Sequence, residues 1–204
     1  MKTHLLLNKA PYFLGGERLL VLLQLAVITL LTAMVVLLCN IYFDLMVFDK
    51  VAINHGEYWR LVSGHFTHSS FSHSAWDVLA FSCSLIWLRI YSVRAILPSV
   101  VAGIFLVNIL LLSSWSSLDY YCGLSGILFS PLIVAAYLHA KRHRGGIDFL
   151  PLAVIVLKLA IDMATQEAIL VNSEWPAYPE SHIAGAIAGV FTIIFLGFIK
   201  RFDI

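Results

Sequence analysis

The sequence has few charged residues and few cysteines for its length. Of its 204 residues, 60% are apolar and only 12% are charged, a balance that soluble domains of this size rarely show. The three cysteines (Cys39, Cys83 and Cys122) are odd in number and lack metal-site spacing, which excludes a disulfide framework. The net charge is +1, and the basic residues resemble topology signals rather than a nucleic acid surface, so we expect no nucleic acid partner. These shortages indicate a protein of the lipid bilayer.

Six apolar runs are long enough to cross a hydrocarbon core of about 30 Å as helices. They lie at about 19–39, 72–91, 95–112, 122–140, 149–171 and 182–199, with an outer loop at 40–71. The first run lacks a small-residue cleavage pattern after it, so we expect it to be retained. No internal repeat is visible. We predict an all-α polytopic membrane protein, with residues 1–204 forming one compact six-helix domain.

The distribution of lysine and arginine predicts the orientation of these runs. Ten of the 13 basic residues fall on one side of the predicted topology: Lys2, Lys9, Arg18, Arg89, Arg94, Lys141, Arg142, Arg144, Lys200 and Arg201. Only Lys50 and Arg60 fall on the other side, and Lys158 lies inside the fifth run. Because positively charged loops are retained in the cytoplasm, we predict that both termini are cytoplasmic.

A serine between two glycines opens the fourth run, in the stretch "YYCGLSGILF". Ser125 is flanked by Gly123 and Gly126, and in this topology it lies about one helical turn, roughly 5 Å, below the outer surface. Cys122 is close enough to be considered as a thiol nucleophile. No activating partner for it is indicated, which favours a buried structural cysteine.

A histidine opens the sixth run, in the stretch "SHIAGAIAGV". Gly185 and Gly189 follow His182 at offsets of three and seven, so the three residues share one face of a helix. Glycines on such a face permit close approach of a neighbouring helix. If that neighbour is the fourth run, the imidazole meets Ser125 at matched depth and supplies the base that a serine nucleophile needs. Each glycine pattern alone is typical of ordinary helix packing, and the combination favours a Ser–His pair.

Two histidines and an aspartate lie near the outer end of the second run. His73 and Asp77 are four residues apart and share a helix face. His73, and Asp77 when it is protonated, can donate hydrogen bonds toward an oxyanion at Ser125. His68 and His73 are five residues apart, about 140° around a helix, so an ideal helix does not point both at one metal ion. We predict no metal site. The alternative is an interfacial helix cap with satisfied histidines.

These motifs together resemble those of the rhomboid intramembrane serine proteases, over about residues 56 to 192. The matching residues are Gly-Leu-Ser-Gly at 123–126, His182 with Gly185 and Gly189, and His68-x4-His73-x3-Asp77 preceded by Trp59-Arg60. The resemblance implies a rhomboid-like six-helix bundle and a Ser125–His182 dyad without a third acid. It also implies an oxyanion hole formed by the Ser125 backbone with His73 and residue 77, and a first outer loop lying partly in the membrane.

Within the family, the chain is most similar to the rhombosortases. The similarity rests on the short chain, "GEYWR" at 56–60 and "LKLAIDMATQEA" in the fifth run. Rhombosortases are small bacterial rhomboids associated with removal of carboxy-terminal anchors that contain a Gly-Gly motif. The resemblance implies a protein of the bacterial inner membrane with its active site toward the periplasm.

Two features depart from the family pattern. Asp77 stands where rhomboids commonly have Asn, and an ionised carboxylate there would repel an oxyanion, so it must be protonated, turned away or bridged through His73. Phe129 and Pro131 stand where rhombosortases more often have a His-Gly pair, and we expect Pro131 to distort its helix.

The fifth run carries an unusual number of polar residues. Lys158 and Asp162 are spaced four apart, and Gln166 and Glu167 lie one turn further toward the outside. The simplest interpretation is a neutralising ion pair plus interfacial polar groups. The alternative is a polar wall that hydrates the active site or holds a gate helix, and the sequence leaves both open.

Other classes of membrane protein fit less well. A transporter would show a paired half-chain repeat, and zinc or aspartyl intramembrane proteases would show His-Glu-x-x-His or Gly-x-Gly-Asp, none of which is present. We therefore predict a cofactor-free serine endopeptidase. Its partners are the bilayer and a membrane-anchored protein cut near the outer face, at a Gly/Ala/Ser-rich carboxy-terminal transmembrane anchor. The rival is an inactive rhomboid-like protein that binds transmembrane clients; Ser125 and His182 argue against it, and Asp77 argues weakly for it.

Overall fold

The computed structural model describes residues 15–167 and 175–199. In chain order the helices and strands are α1 (Gly15–Ile41), α2 (Phe43–Met46), β1 (Phe48–Asp49), α3 (Lys50–Asn54), α4 (Arg60–Ser63), α5 (Phe71–Tyr91), α6 (Ile96–Leu112), β2 (Tyr120–Tyr121), α7 (Ser125–His143), α8 (Leu150–Thr165) and α9 (Pro179–Ile199). Short 3-10 turns lie at Gly64–Phe66, Val93–Ala95 and Gly146–Phe149. Four of the predicted topology signals, Lys2, Lys9, Lys200 and Arg201, lie outside the described residues, as does the end of the fifth run at 168–171.

Three segments in the described ranges are long and apolar enough to cross a membrane. They are Leu19–Ile41, Val93–Leu112 and Pro179–Phe198. Helices α5, α7 and α8 overlap the other three predicted runs, but α8 has only 16 residues, and α5 and α7 carry more polar side chains. The count of six spans and the cytoplasmic position of both termini therefore stay predictions.

Helix α7 begins at Ser125, three residues later than the predicted fourth run. Gly123 has a φ of +118°, a conformation that a right-handed helix does not contain, so the helix begins after it. Ser125 is consequently a first-turn residue whose N–H needs no partner inside the helix. The helix continues through Pro131 to His143.

Helix α7 is the centre of the bundle and packs against α5, α6 and α9. Its side chains are buried along most of its length, and Ile127, Val134, Ala135 and Ala136 are inaccessible. Helix α1 packs mainly on α5, and most of its leucines are exposed, as suits a surface that faces lipid. Ser125 therefore opens a helix that is buried along most of its length.

Helices α7 and α9 meet through their backbones. A Cβ added to Gly185 would overlap the Gly126 carbonyl oxygen. A Cβ on Gly189 would lie 2.7 Å from the Ser130 carbonyl oxygen and 2.9 Å from Ile133 Cβ. Real Cβ atoms do not approach backbone oxygens this closely, so the contact exists only because these α9 positions are glycine.

Helices α5, α7 and α9 begin at the same end of the bundle. The Cβ position of Gly123 lies 2.8 Å from His73 Nε2 near the start of α5, and that of Gly126 lies 3.2 Å from Ser181 Cβ near the start of α9. At the opposite end, the Tyr91 hydroxyl of α5 is hydrogen-bonded to His139 Nδ1 of α7 at 2.7 Å. Three helix starts therefore converge on one small region.

The segment between α1 and α5 folds against the entry to α7. Strand β1 pairs antiparallel with β2, placing Phe48 opposite Tyr121. The buried Arg60 side chain donates from Nη1 to the carbonyl oxygens of Asp44 at 2.9 Å and Val47 at 2.8 Å. These bonds hold the chain that leads into β1, and β1 in turn pairs with β2, which ends four residues before Ser125.

The glycine contact predicts a strong effect of one methyl group. We expect Gly185→Ala to destabilise the protein by at least about 1–3 kcal/mol, since the added methyl meets rigid backbone rather than a movable side chain. Gly197→Ala on the same helix is the matched control, because nothing lies within 4 Å of its Cβ position. Thermal unfolding in detergent should show a lower Tm for Gly185→Ala alone; equal Tm values for the two variants would contradict the backbone contact.

Candidate active site

A cavity of about 760 Å³ lies where α5, α7 and α9 begin. Its polar walls include Ser125 of α7, His182 of α9, His73 of α5 and Lys158 of α8. Several other wall residues are apolar: Trp76, Leu128, Phe129, Leu132, Val154 and Ile155. An apolar cavity with a few convergent polar groups is the usual form of a substrate site.

Ser125 presents its backbone N–H to a carboxylate rather than to open space. The N–H donates a hydrogen bond to Asp77 Oδ2 at 2.9 Å. The N–H is available because Ser125 is in the first turn of α7, and the positive end of the helix dipole favours negative charge there. The start of α7 is therefore suited to binding an anion, and in this structure the anion is the Asp77 carboxylate.

The Asp77 carboxylate is buried between two histidines. Its Oδ2 lies 3.1 Å from His68 Nε2 and 3.4 Å from His73 Nε2. The carboxylate is therefore not turned away from Ser125, which was one of the three arrangements expected from the sequence. It contacts the Ser125 N–H directly, at a shorter distance than its contact with His73.

Our expectation that His68 and His73 point apart is wrong. It assumed that both residues lie on one helix, but α5 begins at Phe71, and Ser70 Oγ accepts a hydrogen bond from the His73 N–H at 3.1 Å as its N-cap. His68 precedes the helix and folds back toward Asp77. The donor atoms of His68, His73 and Asp77 all lie within 4.8 Å of one another, a set that can hold a metal ion.

Gly123 and Gly126 make room for the groups around Ser125. Gly123 combines its positive φ with a Cβ position only 3.3 Å from Asp77 Oδ2, in addition to its contact with His73. A Cβ on Gly126 would lie 2.6 Å from the Tyr121 hydroxyl. Larger residues at either position would displace polar atoms of the site.

His182 is held on two sides by neighbouring residues. Its Nδ1 lies 3.0 Å from Asp162 Oδ2, and its ring lies 5.0 Å from that of Phe129, centroid to centroid. Lys158 Nζ donates to the same carboxylate at 2.6 Å from Oδ2. The structure thus places an acid on the histidine, where the family resemblance implied none. The sequence showed the Lys158–Asp162 spacing, but not that Asp162 faces α9.

Ser125 and His182 share the cavity wall without being joined by a hydrogen bond. Among the described residues, none connects the Ser125 hydroxyl to the His182 ring. Such bonds are often long in the absence of substrate and shorten when it binds.

Cys122 is an unsuitable nucleophile. It precedes α7, and its side chain is buried. Reactive cysteines are partly exposed and lie beside groups that favour the thiolate, whereas a buried cysteine is usually structural.

These features define a helical membrane protein with a cavity at one end of its helix bundle, in which a few polar side chains converge. A family model, the Rhomboid domain, matches residues 55–198, and the chain belongs to the rhomboid family of intramembrane proteases. It is an integral membrane protein. Rhomboids are generally serine proteases that act on membrane protein substrates within the bilayer, although inactive members exist. No curated protein matches the chain.

Proposed function

We propose that this rhomboid is an active serine endopeptidase in which Ser125 is the nucleophile and His182 is the general base. The observation that carries the proposal is that the two side chains face one cavity from helices whose backbones touch. A serine hydroxyl needs a nearby base to become nucleophilic, and an imidazole near the start of α9 is in a position to provide it.

The reaction is acyl transfer to Ser125 followed by hydrolysis. His182 takes the hydroxyl proton as Ser125 Oγ attacks a peptide carbonyl, and then gives it to the departing amine. Water hydrolyses the acyl-enzyme in a second round. The Ser125 N–H and the His73 ring stabilise the oxyanion, helped by the positive end of the α7 dipole.

Asp77 has to release the Ser125 N–H before that group can bind an oxyanion. We infer that during turnover the carboxyl is protonated or moves toward the histidines that already contact it. The same contact is the one observation that favours the rival function, an inactive rhomboid that binds transmembrane clients. In that case Asp77 would permanently occupy the oxyanion position.

The first prediction tests the pair of reacting residues. Ser125→Ala and His182→Ala should abolish both substrate cleavage and labelling of the purified protein by a fluorophosphonate. Cys122→Ala is the matched control and should keep labelling near the wild-type level, since a buried cysteine is usually unreactive.

Two results would contradict this assignment. Labelling that persists in Ser125→Ala would mean that another residue is the nucleophile. A folded wild-type protein that neither labels nor cleaves would favour the inactive rival.

The second prediction concerns the carboxylate at the oxyanion position. Asp77→Asn should preserve or raise the rate of cleavage, because an amide can donate to the oxyanion without charge repulsion. Asp148→Asn, at the opposite end of the bundle beside His139, is the control for a lost carboxylate. Loss of more than about a hundredfold, the scale of one oxyanion donor, would instead assign the Asp77 carboxylate a specific role.

We propose that the substrate is a protein held by a carboxy-terminal transmembrane anchor, as for rhombosortases. A helical substrate hides its carbonyls in internal hydrogen bonds and must unwind before attack. Glycine lowers the cost of unwinding by about 1 kcal/mol per residue relative to alanine. Ser125 lies at the end of the bundle away from the basic connections that follow α5 and α7, so the cut falls near the outer, periplasmic face of a bacterial inner membrane.

The third prediction tests this substrate class. Co-expression with a protein carrying a Gly/Ala/Ser-rich junction before a basic-ended carboxy-terminal anchor should yield a product without its tail. Mass spectrometry should place the cut in the small-residue junction, and Ser125→Ala should leave the anchor intact. A cut at the cytoplasmic end of the anchor, or equal cleavage after the small residues become Leu or Val, would contradict the substrate model and leave the reacting residues unaffected.

A further inference from the structure

Asp162 is the buried acidic group nearest to the base. Its side chain is only 1% exposed, although it lies on α8, and its Oδ2 is 3.0 Å from His182 Nδ1. An isolated carboxylate in such surroundings is costly, and it persists only when its charge is paired and its oxygens are hydrogen-bonded. The Asp162 carboxylate therefore needs a nearby positive charge and hydrogen-bond donors.

Lys158 supplies the opposing charge one turn earlier on the same helix. Its ammonium contacts both carboxylate oxygens, at 2.5 Å and 2.6 Å. With Lys158 as its counter-ion, Asp162 stays ionised and keeps one orientation. A carboxylate held in this way only accepts hydrogen bonds, so the proton of the contact with His182 belongs to the imidazole.

That contact determines which nitrogen of His182 is basic. In a neutral imidazole one nitrogen carries the proton and the other accepts. Because Nδ1 donates to Asp162, Nε2 is left unprotonated and free to accept a proton. The Phe129 ring packed against His182 further restricts rotation of the imidazole.

We propose that Asp162 is a positioning residue for His182, so that the reacting group is a Ser125–His182–Asp162 triad in which Lys158 orients the acid. This inference rests on the proposed function. As the Ser125 Oγ–carbonyl bond forms, the Ser125 proton moves to Nε2, and the imidazolium is stabilised by Asp162, which remains unprotonated. The C–N bond then breaks, the amine leaves with the Nε2 proton, and the Nδ1 proton stays in place throughout.

Fluorophosphonate labelling of Ser125 tests the role of Asp162 directly. Asp162→Asn should slow labelling by about 10³–10⁴-fold, since an amide can donate to Nδ1 and stabilise the wrong tautomer. Lys158→Met combined with Asp162→Asn avoids an unpaired buried lysine and should show the same loss if the single variant folds poorly. Glu167→Gln is the matched control, because that carboxylate is exposed near the end of α8.

Two readouts separate positioning from mere structural support. In Asp162→Ala, added formate should restore labelling in a concentration-dependent way, because a small carboxylate can replace the missing one beside Lys158. Nitrogen-15 NMR of histidine-labelled wild-type protein, with His182→Gln to assign the signals, should show Nδ1 protonated and Nε2 unprotonated.

The outcomes distinguish this inference from the proposed function. Labelling within about tenfold of wild type in the folded Asp162 variants, or an Nε2-protonated His182 in the wild type, overturns the role of Asp162 and leaves Ser125 and His182 in place. Absence of Ser125-dependent labelling in the wild type overturns the proposed function, and the triad with it.

Discussion

The backbones of α7 and α9 touch, with no Cβ at Gly126 or Gly185 to keep them apart. This contact determines the geometry at the start of both helices, because a helix pushed outward by one methyl group carries its first turns with it. Ser125 and His182 are both in those turns. Two further contacts come from the neighbouring helices. Asp77 of α5 accepts a hydrogen bond from the Ser125 N–H, and Asp162 of α8 contacts the His182 imidazole. Both contacts depend on the relative position of α7 and α9.

Two carboxylates stand on opposite sides of the proposed reaction. Asp77 contacts the N–H that would bind the oxyanion, and Asp162 contacts the histidine that would take the proton. Each is paired with cationic or titratable partners, as buried charge requires. The two carboxylates have opposite effects on the proposed reaction. The negative charge of Asp162 stabilises the positive charge that develops on the imidazole, whereas the negative charge of Asp77 destabilises the negative oxyanion. The site therefore combines one favourable carboxylate with one that has to be neutralised or displaced.

The sequence carries the features that repeat along single helices. The spacing of Gly185 and Gly189 after His182 is enough to expect a close neighbour, and the Lys158–Asp162 spacing is enough to expect an ion pair. It does not show which helices face one another. The sequence therefore leaves open whether Asp162 only neutralises Lys158 or also contributes to the site. The start of α5 at Phe71 is a second example. If the helix extended back to His68, the rings of His68 and His73 would point apart. Because His68 lies before the helix, its ring instead lies beside that of His73. Contacts across helices come from tertiary packing, which a single sequence does not display.

The order of the site residues along the chain has a consequence for biosynthesis. Ribosomes make the chain from its amino terminus, so strand β2 with Tyr121 and then helix α7 with Ser125 are synthesised before α8 and α9. Until α8 and α9 are made, the nascent protein contains the proposed nucleophile but neither the histidine that would activate it nor the acid beside that histidine. The proposed site is complete only when α9 has packed on the α7 backbone. If the protein is a protease as proposed, it stays inert toward other proteins in the bilayer until that packing step.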